Sequence, residues 1–196
     1  MKIYDFPQRS PEWFEIRCGM PTASSFDKII QMNGQPSKQR NKYLYKVAGE
    51  FVAKKAEESY QSAAMLRGCE VEAEARMFYE AVRDVEVQEV GFCVESGAGC
   101  SPDGFVGDNG LLEIKCPIIS TQVGYLIDNK FPTDYFQQVQ GQLYVTGRDW
   151  CDFLAYYPGL KPLLIRVERD ESFISALRNE LDRFCFDLKD IVQRIK

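Results

Sequence analysis

The chain has 196 residues and a formal net charge of −5, with 45% hydrophobic and 27% charged residues. This length suits one α/β domain with a sizeable core and is short for two, so we expect a single domain over residues 1–196. No apolar stretch approaches the roughly 18 residues needed to cross a bilayer, and the N-terminus lacks the apolar core of a signal peptide. We therefore expect a cytoplasmic protein with no membrane partner.

The histidine and cysteine contents exclude several kinds of site. There is no histidine, so Ser-His-Asp, Cys-His and histidine–metal chemistry within one chain are excluded. The seven cysteines are odd in number and show no CxxC spacing, which argues against structural zinc or an iron–sulfur cluster. The negative charge argues against a general nucleic-acid binder, although an acidic metal site and a local basic patch can coexist. Hydrolysis would need carboxylates, lysine, tyrosine or a hard metal ion.

The N-terminal part of the chain is predicted to be helical. Apolar residues recur at helical spacing on both sides of a surface loop at residues 34–37. The predicted helices cover about residues 22–31, 38–57 and 67–82. Thr22 or Ser24 is available to cap the first helix. The predicted core stripe of the third consists of Val71, Ala75, Phe78 and Val82.

The rest of the chain alternates between strand and helix patterns. The predicted strands cover residues 85–94, 110–116, 151–157 and 163–168, with a short strand ending near Asp103. The predicted helices cover residues 120–128, 133–145 and 172–195. This order predicts an α/β fold with a central mixed β-sheet that is flanked by helices on both faces.

Asp103, Glu113 and Lys115 have the most informative spacing. A Pro-Asp-Gly segment alone is typical of a turn, and a Glu-x-Lys pair on a strand is usually a solvated face. On a strand, however, Glu113 and Lys115 point to the same side, and a preceding turn or strand can bring Asp103 alongside Glu113. Two carboxylates and an ammonium would then converge at one point.

That grouping suits hydrolysis of a phosphodiester. Mg²⁺ prefers carboxylate, carbonyl and water ligands, and it stabilises developing charge and acidifies a bound water. A lysine beside the metal can orient or deprotonate that water. The exposed carbonyl of Ile114 could add a ligand. Glu72, on the third predicted helix, is a candidate third carboxylate, although on pattern alone it reads as one of several surface glutamates there.

Four segments follow one another in a recognisable order over about residues 10–145. They are Trp13-Phe14-Glu15-Ile16-Arg17-Cys18-Gly19 with Thr22-Ala23-Ser24; Arg67-Gly68 followed by Glu72; Ser101-Pro102-Asp103-Gly104 with Leu112-Glu113-Ile114-Lys115-Cys116-Pro117; and Gln138-Val139-Gln140. Together these segments resemble the phage lambda exonuclease and YqaJ-type viral recombinase family, within the PD-(D/E)xK nuclease superfamily. The chain lacks the clustered cysteines of members with an iron–sulfur nuclease domain.

The resemblance implies a restriction-endonuclease-like fold and assigns roles to the catalytic candidates. The implied metal ligands are Asp103, Glu113, the Ile114 carbonyl and Glu72. Lys115 and Gln138 are implied to lie beside the attacking water or the scissile phosphate. We expect Mg²⁺ as the cofactor, with Mn²⁺ as a substitute and two ions per active site.

The resemblance also implies where DNA binds. The implied pocket for a terminal 5′-phosphate consists of Arg17, Ser24 and Ser101. Arginine and helix N-termini both hold anions well, although without the resemblance Arg17 reads as a solvated residue. Trp13 is expected either to pack in a partly buried position or to stack near the DNA end. A basic run, expected either to be solvated or to contact the duplex, consists of Lys38, Arg40 and Lys42.

The implied function is 5′-to-3′ digestion of one strand at the ends of linear double-stranded DNA, with release of 5′-mononucleotides. The 3′ overhang would serve recombination by strand annealing. A homotrimeric ring, a single-strand annealing protein as partner, and a phage or prophage gene in a bacterial host are also implied. Two alternatives stay open: a restriction-like endonuclease, which would cut a closed circle, and a non-catalytic DNA-end-binding module, which would be inactive with Mg²⁺.

Overall fold

The computed structural model describes residues 1–57 and 63–196, without the side chains of residues 63–66, 68 and 69. The expected domain over residues 1–196 therefore includes a stretch, residues 58–62, that lies outside the described residues. The helices in the described part are α1 (Pro11–Arg17), α2 (Arg40–Ala53), α3 (Ala63–Arg83), α4 (Ile119–Asp128), α5 (Phe136–Thr146) and α6 (Glu171–Ile195). Short 3-10 helices cover Ala23–Lys28 and Thr133–Tyr135.

The described strands form two sheets. They are β1 (Lys2–Tyr4), β2 (Val87–Gln88), β3 (Phe92–Glu95), β4 (Ala98–Cys100), β5 (Gly104–Val106), β6 (Gly110–Lys115), β7 (Trp150–Ala155) and β8 (Leu163–Glu168). The larger sheet has the order β2-β5-β6-β7-β8, in which β6 and β7 are parallel and the other neighbours are antiparallel. Strands β1, β3 and β4 form a small antiparallel sheet. The predicted mixed sheet is confirmed.

Helices cover both faces of the larger sheet because its central strand β6 is apolar on both sides. Leu112 and Ile114 belong to a core that includes Ala75 of α3. On the other face, Leu111 belongs to a larger core formed with α2, α5 and α6. Because side chains alternate along a strand, Glu113 faces the same way as Leu111. The fold thus places this carboxylate on the α5 side of the sheet.

A buried carboxylate, Asp152, links β7, β8 and α3. Asp152 is fully buried and accepts two hydrogen bonds from Arg166, at 2.8 and 3.0 Å, and one from the Tyr79 hydroxyl at 2.9 Å. Burial and the hydrogen bond to Asp152 raise the pKa of Tyr79. A buried carboxylate is costly unless it is paired, so these contacts fix how α3 lies on the sheet.

The prediction of a single strand over residues 85–94 is wrong. This stretch contains two strands, β2 and β3, in different sheets. Between them, the backbone of the N-terminal segment packs directly against Gly91. A Cβ at this position would lie 2.2 Å from the carbonyl oxygen of Phe6 and 2.5 Å from that of Tyr4. The sequence patterns also did not reveal β1 or α1. Helix α1 begins at a proline, and its N-cap Ser10 accepts a hydrogen bond from Trp13 N at 3.2 Å.

The predicted helices are present with shifted ends. The pattern at residues 22–31 is a 3-10 helix whose N-cap, Thr22, makes no side-chain capping hydrogen bond. In α3, Ala75 is buried as predicted, but Val82 is 55% exposed. Tyr79 takes its place in the core because its hydroxyl anchors the end of α3 to Asp152. No helix within the described residues is both long and apolar enough to span a membrane.

Candidate active site

Asp103 is held in the turn between β4 and β5 by two contacts with the backbone of β6. Its own N–H donates to the Leu112 carbonyl at 3.1 Å, and the Ile114 N–H donates to its Oδ2 at 2.5 Å. No described residue hydrogen-bonds to its Oδ1, so one carboxylate oxygen stays available for a ligand. The Pro-Asp-Gly turn thus brings this carboxylate beside β6.

Glu113 is 2% exposed and faces α5. Its Oε1 accepts a hydrogen bond from Gln138 Nε2 at 2.6 Å and lies 2.5 Å from Lys115 Nζ. Its Oε2 accepts a hydrogen bond from Gln142 Nε2 at 2.6 Å. Three charge-assisted contacts compensate for the burial of this charge. The Glu-x-Lys pair is therefore not a solvated face of the sheet.

The charges of these groups are strongly coupled. Burial and the neighbouring carboxylates of Glu113 and Glu72 raise the pKa of Asp103 well above its ordinary value. Burial disfavours the Lys115 ammonium, but Glu113 and Asp103 outweigh that effect and raise the pKa of Lys115. The carboxylates of Glu113 and Asp103 thus both act on one ammonium, and Glu113 contacts it directly. A hard divalent cation would relieve their repulsion, so the donor set fits Mg²⁺.

The carbonyl of Ile114 points toward the Asp103 side of β6. The Lys115 carbonyl accepts a hydrogen bond from Tyr156 N at 2.8 Å, on the β7 side. Backbone groups alternate in direction along a strand, so the N–H and carbonyl of Ile114 point away from β7. Pairing with β5 ends at Gly104, opposite Leu112. The Ile114 carbonyl therefore lies past the end of β5, on the side implied for a metal ligand.

Glu72 lies at the edge of this group. It projects from α3 and contributes to the raised pKa of Asp103, but its Oε2 accepts a hydrogen bond from Arg9 at 3.1 Å. Among residues 1–57 and 63–196, no group of three or more histidine, cysteine, aspartate or glutamate side chains is placed to hold a metal ion. The structure therefore brings Asp103, Glu113 and the Ile114 carbonyl together and leaves Glu72 beside them in an ion pair.

Gln142 is a candidate residue that the sequence patterns did not reveal. Gln138 and Gln142 are four residues apart on α5, so they share one face, and each donates to a different oxygen of Glu113. Gln142 is 1% exposed, and its Oε1 has no hydrogen-bond partner among the described residues. Gln140 instead bonds backbone groups near the start of α6. The four-residue spacing of two glutamines was the signal available in the sequence.

Arg17 and Ser24 line a cleft of about 500 Å³ beside this group. The Arg17 guanidinium lies 4.0 Å from the ring centroid of Trp13 and 5.7 Å from that of Phe92. Burial lowers the pKa of Arg17, and its guanidinium forms no ion pair with a carboxylate in the described part of the chain. A half-buried arginine without such a partner is suited to bind an anion.

Trp13 joins this cleft to the turn that holds Asp103. Its Nε1 donates to Ser101 Oγ at 2.8 Å, and Ser101 lies two residues before Asp103. One face of the indole is covered by Arg17. These contacts favour the packing role of Trp13. The structure thus brings Arg17 and Ser24 together and connects them to Ser101 through Trp13.

The basic run after residue 37 divides into two groups. Lys38 and Lys42 are exposed. Arg40 forms an ion pair with Asp187 of α6 at 2.7 Å and lies over the ring of Phe184. Arg40 therefore packs α2 against α6, whereas Lys38 and Lys42 remain accessible to a duplex.

Sequence comparisons match this chain to one domain family and to one curated relative. A family model for the YqaJ-like viral recombinase domain matches residues 12–149. Uncharacterized protein R354 of Acanthamoeba polyphaga mimivirus is 34% identical over 173 residues. That match covers 78% of this chain and 30% of the relative, so the chain spans less than a third of the length of this curated relative.

Solved structures share the fold over nearly the whole chain. The alkaline exonuclease LHK-Exo from Laribacter hongkongensis is 33% identical, with a TM-score of 0.86 over 95% of this chain and 96% of that one. Its complex with dAMP is 34% identical, with the same TM-score and coverage. A phage-related exonuclease from Haemophilus somnus 129PT is 13% identical, with a TM-score of 0.75 over 92% of this chain and 98% of that one, and shows the fold alone. These matches confirm the PD-(D/E)xK type of fold.

Proposed function

The chain belongs to the YqaJ-like viral recombinase domain family, and on this premise we propose that it is a metal-dependent DNA exonuclease. It digests one strand of linear double-stranded DNA from the 5′ end and leaves a 3′ overhang. The observation that carries this proposal is the convergence of Asp103, Glu113 and Lys115 at the end of β6. The similarity to an alkaline exonuclease supports it.

The metal ligands would be the oxygens that crowd around the end of β6. Asp103, Glu113 and the Ile114 carbonyl would hold one Mg²⁺, for which Mn²⁺ can substitute. Glu72 would turn from Arg9 to support a second ion. Bound there, the metal would stabilise developing charge and make a bound water more acidic.

Lys115 and Gln138 would act on the reacting groups. Both contact the same oxygen of Glu113, so their donors lie together where the attacking water and the scissile phosphate would meet. From there they can orient the water and stabilise negative charge on the phosphate. Gln142 holds the other oxygen of Glu113 and so fixes the rotation of that carboxylate.

The cleft that contains Arg17 and Ser24 would set the direction of digestion by holding the terminal 5′-phosphate. Because Trp13 connects this cleft to Ser101, the bound phosphate is linked to the catalytic turn. Each hydrolysis releases a 5′-mononucleotide and leaves a new 5′-phosphate for the same cleft. The dAMP complex of the similar alkaline exonuclease supports a mononucleotide product.

Residues 1–196 would form one domain that assembles into a homotrimeric ring around DNA. A ring suits a chain with a net charge of −5, because enclosure replaces part of the electrostatic attraction that usually holds a protein on DNA. In the cytoplasm of a bacterium that carries the phage or prophage, the 3′ overhang would pass to a single-strand annealing protein.

Digestion of end-labelled linear duplexes tests the proposed function. We expect the 5′ label to be released as a mononucleotide with Mg²⁺ and to stay on the strand with EDTA. A covalently closed circle is the control, because an exonuclease needs an end. Cleavage of the circle would instead indicate a restriction-like endonuclease, and binding to ends without hydrolysis in Mg²⁺ or Mn²⁺ would indicate a non-catalytic module.

A further inference from the structure

Arg9 lies between the two clefts in which the proposed reaction takes place. One cleft contains Asp103 and Glu72, the other contains Arg17 and Ser24, and Arg9 lines both. A nucleotide whose 5′-phosphate is held by Arg17 and whose next phosphate reaches Asp103 would pass this side chain.

The backbone around Arg9 is fixed to both clefts. Gln8 Nε2 donates to the carbonyl oxygens of Val90 and Pro102, each at 2.9 Å, and Pro102 immediately precedes the catalytic Asp103. On the other side, Ser10 caps α1, the helix that carries the arginine of the phosphate cleft. Arg9 itself has a φ of +68°, which is unfavourable for a residue with a side chain. This conformation holds a long cationic side chain at the junction of the clefts.

The side chain of Arg9 is held weakly. It is 51% exposed, and its ion pair is with Glu72, which is itself 28% exposed. Exposed ion pairs contribute little to stability. Arg76, in the same cleft, is only 16% exposed and forms an ion pair with Glu89 at 2.6 Å. Of these two arginines, Arg9 is the one that can leave its partner at low cost.

The cleft around the catalytic aspartate repels a phosphate unless a cation faces it. Its charged lining consists of the carboxylates Asp5, Glu72, Glu89 and Asp103 and of the arginines Arg9 and Arg76. When Glu72 turns toward a metal ion, as the proposed function requires, Arg9 loses its partner. Its planar fork of N–H donors then matches the oxygens of a phosphate.

We propose, on the basis of the proposed function, that Arg9 binds the scissile phosphate between the first and second nucleotides. Its ion pair with Glu72 is the resting arrangement of the protein without DNA. Arg9 is thus distinct from Arg17, which holds the terminal phosphate, and it connects the end-binding cleft with the site of hydrolysis.

A thermodynamic cycle, in which protein variants are combined with modified DNA and only binding is measured, tests this contact without hydrolysis. The duplexes carry a 5′-phosphate and, at the first internucleotide linkage, either the normal phosphate or a neutral methylphosphonate. Binding is measured by fluorescence anisotropy in Ca²⁺, a hard cation that takes oxygen ligands, and gels verify that the DNA stays intact. We expect the methylphosphonate to weaken binding to the wild type. In Arg9→Ala this penalty should shrink about tenfold, the scale of one lost charge-assisted hydrogen bond.

Arg76→Ala is the matched control because Arg76 lines the same cleft but stays paired. Its methylphosphonate penalty should equal that of the wild type. Arg9→Gly controls for the backbone, because glycine adopts a positive φ without strain, and it should repeat the result of Arg9→Ala. A full methylphosphonate penalty in Arg9→Ala, with or without a loss of overall affinity, would overturn the assignment.

Single-turnover digestion gives a second readout. Arg9→Ala should slow the first cleavage equally on 5′-phosphorylated and 5′-hydroxyl ends, because both contain the scissile phosphate. A loss confined to phosphorylated ends would place Arg9 in the terminal-phosphate cleft and refute its contact with the scissile phosphate. A wild-type protein that digests no duplex would refute the proposed function itself, which separates that failure from a failure of the Arg9 assignment.

Discussion

Arg17→Ala should erase most of the preference for 5′-phosphorylated ends. Arg17 lies between Trp13 and Phe92, and no described carboxylate pairs with it, so a phosphate would be its first ionic partner. Charge-assisted hydrogen bonds contribute roughly 1.5–3 kcal/mol, which corresponds to about a ten- to hundred-fold change in rate. We expect a loss of this size in kcat/KM on phosphorylated duplexes and a smaller loss on 5′-hydroxyl duplexes.

The assay compares two duplexes that differ only in the terminal phosphate. Release of the first nucleotide is followed, because every later step starts from a new 5′-phosphate. Arg17→Lys keeps the charge but not the planar fork, so its loss should be intermediate. The exposed Arg194, near the end of α6, is a control whose change to alanine should leave the preference intact. Equal losses on both duplexes in Arg17→Ala would make Arg17 a general structural or backbone contact and would refute the phosphate cleft.

Two other variants test the proposed catalytic role of Lys115 and the structural role of the buried Asp152 carboxylate. Lys115→Ala should lower kcat by at least ~10²-fold with far less effect on DNA affinity, because its ammonium lies 2.5 Å from Glu113 at the reacting group; a loss of affinity with kcat intact would make it a phosphate contact. Asp152→Ala should lower the free energy of unfolding in urea by about 1–3 kcal/mol, because the buried Tyr79 hydroxyl loses its hydrogen-bond partner and the half-exposed Arg166 loses its counter-charge. The control Asp190→Ala, at an exposed position, should lower the free energy of unfolding by less than about 1 kcal/mol. A similarly small decrease for Asp152→Ala would contradict the structural role of Asp152.

The sequence predicts β6 and the position of its side chains well, because the information that decides them is local. Two-residue periodicity puts Glu113 and Lys115 on one face of β6, and the Pro-Asp-Gly turn ahead of the strand returns Asp103 to its side. The long amphipathic pattern of α6 likewise predicts a helix with one buried face. In each case neighbours within a few residues decide the conformation.

Contacts between distant parts of the chain were not predictable in the same way. Gln142 is a functional candidate only because α5 packs over Glu113. The ion pair of Arg9 joins residues 63 positions apart. The division of residues 85–94 into two strands depends on the N-terminal backbone passing at Gly91. Local propensity carries no signal for such crossings, because each is set by tertiary packing.

Digestion of a 5′-phosphorylated linear duplex by Asp103→Asn tests the central claim most directly. Asparagine keeps the shape of the side chain and can still accept the hydrogen bond from Ile114 N–H. It lacks the negative charge with which a carboxylate binds Mg²⁺. We predict digestion by the wild type with Mg²⁺ and none with EDTA. A folded Asp103→Asn protein, verified by circular dichroism, should keep less than roughly 1% of the wild-type rate. Near wild-type digestion by this variant would contradict the metal site at the end of β6.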